Sequence, residues 1–129
     1  MKHDISVPPG SIDEFLKVAD EQCYELLEGV RINAFGHLGD GNIHYNLSPP
    51  KGQKGFSNQE NEISFNIARS AHNMRGSIAA EHGLGRSKVT LADSLRSPIE
   101  RGLMVRVKNT FDQKKSLNPG VIVSEKGND

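Results

Sequence analysis

Five histidines, sixteen acidic side chains and one cysteine are the groups through which this 129-residue chain could do chemistry, and they are unevenly spaced. His37 and His44 flank Gly39-Asp40-Gly41-Asn42, and apolar and polar residues alternate on both sides, over residues 30–35 and 43–47. That pattern predicts a β-hairpin turning at Asp40-Gly41. A two-residue turn there makes opposed residue numbers sum to 81, and a wider loop over residues 39–42 is expected to keep the pairing. His37 then faces His44 and Phe35 faces Asn46, all four on one side of the ribbon. Opposed Cβ atoms stand about 4.5–5.5 Å apart, a spacing that lets two imidazoles meet one metal ion. A histidine pair on strands serves structural ends equally well, so a third ligand decides between the two readings.

Glu81-His82, set among Gly76, Gly83 and Gly85, is the source such a ligand would come from. A carboxylate with two imidazoles suits a divalent transition metal, and three protein ligands leave positions open to substrate. A closed structural zinc site takes four ligands and favours Cys, of which the chain has one. Without Cβ atoms at Gly83 and Gly85, the backbone after His82 is able to approach a ligand or cofactor closely. Gly36, Gly39 and Gly41 lack the dinucleotide spacing, and no Walker-type lysine pattern occurs. His3 and His72 have no comparable company, and His72 falls off the apolar stripe of its segment, which predicts exposure.

The elements that must position these groups are signalled by serines. Ser11-Ile12-Asp13-Glu14, Ser57-Asn58-Gln59-Glu60 and Ser97-Pro98-Ile99-Glu100 all read as capping boxes. Helical apolar spacing follows each: Ile12, Phe15, Leu16, Ala19 and Cys23 toward Gly29; Ile63, Ile67, Ala71 and Met74 before Gly76; Ile99, Leu103, Val107 and Phe111. Cys23 falls on the first stripe and reads as a small buried hydrophobe. Strands are expected around Ile5 and Val7, in the hairpin, and at Ser77-Ile78-Ala79-Ala80. The succession predicts an α+β fold, a small and mainly antiparallel sheet with helices packed on one face.

Composition narrows the function classes. Sixteen basic residues balance sixteen acidic ones, so the footprint of a nucleic-acid binder or polybasic membrane module is missing. No apolar run approaches the roughly 20 residues of a membrane-spanning helix, and Met1-Lys2-His3-Asp4 opens no signal sequence. With a single cysteine, no disulfide within the chain is available, in keeping with a cytoplasmic location. Residues 1–123 read as one domain portion and residues 124–129 as a loose tail.

Four motifs in order resemble a known family. Gly36-His37-Leu38-Gly39-Asp40-Gly41-Asn42-Ile43-His44-Tyr45-Asn46 resembles the metal-binding hairpin of the FAD-linked 2-hydroxyacid dehydrogenases. That group includes D-lactate dehydrogenases, the glycolate oxidase flavoprotein subunit and D-2-hydroxyglutarate dehydrogenases, within the vanillyl-alcohol-oxidase-like superfamily. The run from Ser77 through Glu81-His82 to Gly85 resembles its second signature. The segment from Lys2 to Pro8 resembles the approach to this region, and Leu117-Asn118-Pro119-Gly120 its C-terminal ending. Lys115-Ser116 departs from the usual glycine-plus-aliphatic pair, which predicts a less regular final turn.

The resemblance implies a ferredoxin-like cap-domain fragment with His37, His44 and Glu81 as ligands of zinc or manganese. It implies that Lys2 and Asn46 hold substrate oxygens, that His82 binds substrate and acts as the general base, and that Asn118 lies near the flavin. Substrate would be a small D-2-hydroxy acid, its hydroxyl acidified by the metal, its proton taken by His82 and its C2 hydride passed to FAD. The FAD-binding domain and the front of the substrate domain are not recognisable in this sequence. The chain is therefore expected to be inactive alone, to need an FAD-binding domain or subunit, and to self-associate through uncovered apolar surface. A stand-alone metal-binding module and a purely structural domain are the competing readings.

Overall fold

The computed structural model describes residues 1–56 and 58–124. Two compact units divide the chain, Met1–Glu81 and His82–Asp129. The first contains β1 (Lys2–Ser6), α1 (Ile12–Leu26), β2 (Arg31–His37), β3 (Asn42–Ser48) and α2 (Glu60–Asn73); the second contains α3 (Val89–Leu95) and α4 (Pro98–Phe111). The three strands form an antiparallel sheet in the order β1-β3-β2. With four helices among the described residues, the fold is α+β, as expected.

Side chains alternate across a strand, so the middle strand sorts its residues in two directions. Ile43, Tyr45 and Leu47 of β3 are buried, with Ile5 of β1 opposite Ile43. They pack in one cluster with Phe15, Ala19 and Cys23 of α1 and Ile63, Ile67 and Ala71 of α2. Each of the large apolar side chains contributes about 1.5–3 kcal/mol by leaving water. Cys23 is buried as expected, and burial, the largest effect, together with the Asp20 charge pushes its thiol up despite a hydrogen bond from Tyr45. On the same covered side, the His3 ring lies 3.1 Å from the Tyr45 carbonyl oxygen and 3.1 Å from Ser64 Oγ, tying β1 to α2.

Several local expectations change in the structure. Ser97 caps α4 by accepting from the Glu100 amide at 3.2 Å, whereas Ser11 makes no side-chain capping bond to α1, and Ser57 lies outside the described residues. α1 stops at Leu26 rather than near Gly29. The segment 77–80 is not a strand: only Ser77 bridges to Ser6, leaving Ile78 onward to turn toward Glu81. α3 had no signal in the sequence beyond a short apolar spacing at Val89 and Ala92. In the final turn, the Asp112 carboxylate accepts from the Ser116 and Leu117 amides at 2.8 and 3.0 Å, so this turn is ordered by one buried side chain. The loose tail expected over 124–129 lies, past Ser124, outside the described residues.

Two measurements check this packing. A Cβ at Gly36 would overlap the Asn42 carbonyl oxygen across the hairpin, so Gly36→Ala is expected to cost about 1–3 kcal/mol in denaturant unfolding. Tyr45 Oη donates to Asp20 at 2.6 Å, and burial first, then this bond, pushes the phenol well above its ordinary value. A raised acid favours the folded state fully below the unfolded phenol value near ~10 and loses that advantage as pH rises beyond it. Stability should therefore fall above pH ~10, and Tyr45→Phe should flatten that limb while costing about 1–2 kcal/mol at neutral pH.

Candidate functional site

The face of the sheet away from α1 and α2 carries most of the sequence-predicted site residues. Register places Lys2 opposite Asn46, Asp4 opposite His44 and Ser6 opposite Asn42 between β1 and β3. Between β2 and β3 it places Asn33 opposite Asn46, Phe35 opposite His44 and His37 opposite Asn42. Opposed residues share a face, so Lys2, His37, His44 and Asn46 are assembled on one surface.

The pairing itself differs from the expectation. Opposed numbers between β2 and β3 sum to 79, not 81, because the loop comprises residues 38–41. Leu38–Asp40 forms a turn of 3-10 helix and Gly41 closes it at φ 70°, where a Cβ would also overlap the Val7 carbonyl oxygen. His37 and His44 are consequently diagonal neighbours instead of a direct pair, with ring centroids 6.5 Å apart and planes at 75°. The shift is even, so both rings stay on the predicted face. Phe35, not His37, stands directly across from His44, its ring centroid 5.1 Å from that of His44.

Glu81 comes onto this surface from the last residue of the first unit. Its Oε1 lies 3.4 Å from His37 Nδ1 and accepts from Asn42 Nδ2. His44 Nδ1 lies 3.3 Å from Asp4 Oδ1, and the Glu81 amide donates to Asp4 Oδ2 at 2.9 Å. The contacts thus form two linked pairs, His37 with Glu81 and His44 with Asp4. No three His, Cys, Asp or Glu side chains among the described residues are gathered as an ion would hold them. In kind, the donors fit a divalent ion: two imidazoles, a half-exposed carboxylate and, behind His44, a buried one. The Asn42 amide oxygen is buried without a hydrogen-bond partner among the described residues, one more oxygen donor at this place.

Sequence reasoning passed over Asp4 and Asn42. Both are nearly buried polar residues, at 5% and 4% exposure, on a face otherwise open to solvent. Period-2 counting from His44 through the middle strand would have reached Asn42, whereas Asp4 needed the β1–β3 register, which no local pattern supplies.

His82 and Asn118 belong to the second unit, where both are exposed. Gly83 and Gly85 beside His82 sit at φ 70° and 54°, so backbone conformation alone calls for glycine there. Asn118, itself at φ 47°, borders an open apolar groove of about 550 Å³ with Leu103, Val107, Leu117 and Ile122. The stripe Ile99, Leu103, Val107 and Phe111 is 54–82% exposed.

The family model for the C-terminal domain of FAD linked oxidases matches residues 1–122. The chain belongs to that family. The domain is 37% identical, over 94% of its length, to a D-2-hydroxyglutarate dehydrogenase of Stutzerimonas stutzeri. It is 36% identical over 92% of its length to a D-lactate dehydrogenase of Anaerostipes hadrus, and 33% identical over 92% to a mitochondrial D-2-hydroxyglutarate dehydrogenase of Arabidopsis thaliana. The FAD-linked oxidase domain spans 26%, 25% and 20% of those relatives. No helix among its described residues is long and apolar enough to cross a membrane.

The Asn42–Glu81 clasp is open to test. Asn42→Asp sets a carboxylate against a carboxylate, and the loss should be about 1–3 kcal/mol at neutral pH. Equal stability of variant and wild type across pH 3–8 (roughly the span of carboxylate and imidazole titration) would remove the clasp.

Proposed function

We propose that this domain is the metal- and substrate-binding portion of an FAD-dependent dehydrogenase that oxidises a small D-2-hydroxy acid to a 2-oxo acid. The observation that carries the reading is a single sheet face presenting Lys2, His37, His44 and Asn46, with Glu81 brought onto it. Relatives named D-2-hydroxyglutarate and D-lactate dehydrogenase support the substrate class.

In this reading His37, His44 and Glu81 would hold a divalent ion, zinc or manganese, which when bound would supply Lewis-acid polarisation. Lys2 offers a cation and Asn46, directly across from it, an amide donor, a pair matched to a carboxylate. His82 follows Glu81 in the chain and accepts the proton of the 2-hydroxyl on an imidazole nitrogen. FAD, carried by an FAD-binding domain or subunit, would supply the hydride-accepting chemistry, and Asn118 is the residue of this chain assigned to its neighbourhood. The exposed stripe of α4 supports a large partner surface, since a contiguous apolar face of this kind is rarely left to water. In the isolated chain the same stripe would drive self-association. A reducing compartment such as the cytoplasm accords with the lone buried Cys23.

Metal analysis of the purified chain tests the site: His37→Ala and Glu81→Ala should each deplete bound zinc or manganese, and unchanged content would overturn the assignment. The chain alone should purify colourless and inactive, sediment as more than a monomer, and gain 2-hydroxyacid oxidation only with an FAD-binding partner. Robust turnover without one contradicts the reading; metal binding that never yields turnover with any partner points instead to a metal-binding module without redox activity.

A further inference from the structure

Asp4 stands out among the groups to which the proposed chemistry gives no role. It lies opposite His44 in the β1–β3 register, and its side chain is 6% exposed. A carboxylate so far from water persists where partners replace its solvation. Its Oδ1 is 3.3 Å from His44 Nδ1, its Oδ2 accepts from the Glu81 amide at 2.9 Å, and its main-chain carbonyl accepts from the Ala80 amide at 3.4 Å. One side chain therefore engages two of the three residues assigned to the ion, one through its ring and the other through its backbone.

We infer that Asp4 is a positioning residue for the metal site, setting the tautomer of His44 and the point from which Glu81 projects. This rests on the metal reading above. At 3.3 Å the Asp4 Oδ1–His44 Nδ1 contact is an ion-pair approach rather than a hydrogen bond, and a carboxylate that close repels a lone pair, so in the neutral imidazole the nitrogen facing it carries the proton and the lone pair is on Nε2. A carboxylate behind a ligating imidazole orients the ring and raises its basicity as a ligand. The Glu81 amide is held by the same carboxylate, and Asn42 Nδ2 donates to the Glu81 carboxylate, so backbone and side chain of that residue are anchored separately.

The test is calorimetric titration of the protein with zinc alone, combined with nitrogen-15 NMR of the His44 ring before zinc is added. In Asp4→Asn the amide oxygen still accepts from Glu81 while its NH2 faces His44. The ring should change from the Nδ1–H to the Nε2–H tautomer, and zinc should bind roughly 10–100-fold more weakly. Zinc affinity equal to wild type in Asp4→Asn overturns the positioning role and leaves the metal reading intact. A wild-type chain that binds no zinc, indistinguishable from His37→Ala, overturns the metal reading and the inference with it. If Asp4→Asn does not fold, the wild-type spectrum decides: Nδ1–H at His44 supports the role and Nε2–H overturns it.

Discussion

Residues 42–46 of β3 are committed twice, because they pair with strands on both edges and alternate side chains face the layer of α1 and α2. The pleat sends Ile43, Tyr45 and Leu47 into the apolar cluster and leaves Asn42, His44 and Asn46 on the opposite surface. A slip of one residue would drive two amides and an imidazole under α1 and α2 and bring three core side chains into water. The hydrophobic effect thus fixes the register, and the register in turn fixes which polar groups meet. Chemistry on this face is a by-product of burial on the other.

Tyr45 shows the cost of that arrangement. Its ring packs edge-on against Phe15 at 5.9 Å, while its hydroxyl, carried into the helical layer, needs a polar partner and finds Asp20 at 2.6 Å. His3 meets the same demand on the neighbouring strand by bridging the Tyr45 carbonyl and Ser64. These bonds tie the helices to the sheet at defined points, so the surface bearing His37 and His44 is backed by a layer held in position.

Alternation made the hairpin and its chemical face legible from sequence, and the error in register was harmless to the face because it was even. Loop length was not legible: residues 38–41 take a 3-10 turn closed by Gly41 against the Val7 carbonyl, a tertiary contact that Asp40-Gly41 does not announce. Residues 77–80 looked like a strand because small and apolar residues suit one, yet only Ser77 meets a partner edge. The α4 stripe has a regular four-residue spacing that is indistinguishable, in sequence, from a core face. Its exposure depends on which surfaces meet in three dimensions, which spacing cannot encode. Asp4 was hidden for a related reason, since its partners lie 40 and 77 positions away.

The delivery of Glu81 shows how a segment without regular structure can be as well placed as a strand. Ser77 exchanges two backbone bonds with Ser6, at 2.9 and 2.8 Å, and the Gly76 amide returns to the Ala71 carbonyl at 2.8 Å as α2 ends. Bulk at residue 76 is excluded, because a Cβ there would overlap the Ser6 carbonyl oxygen. Four residues later Asp4 takes up the chain again through the Ala80 and Glu81 amides. Two attachments to one strand, bracketing residues 77–81, determine where that short stretch can go, so its last side chain arrives at His37 without a ladder of its own. Strand β1 therefore has two duties: Ile5 closes the core beside Ile43, and Asp4, one residue earlier and on the other face, fixes the carboxylate-bearing end of the site.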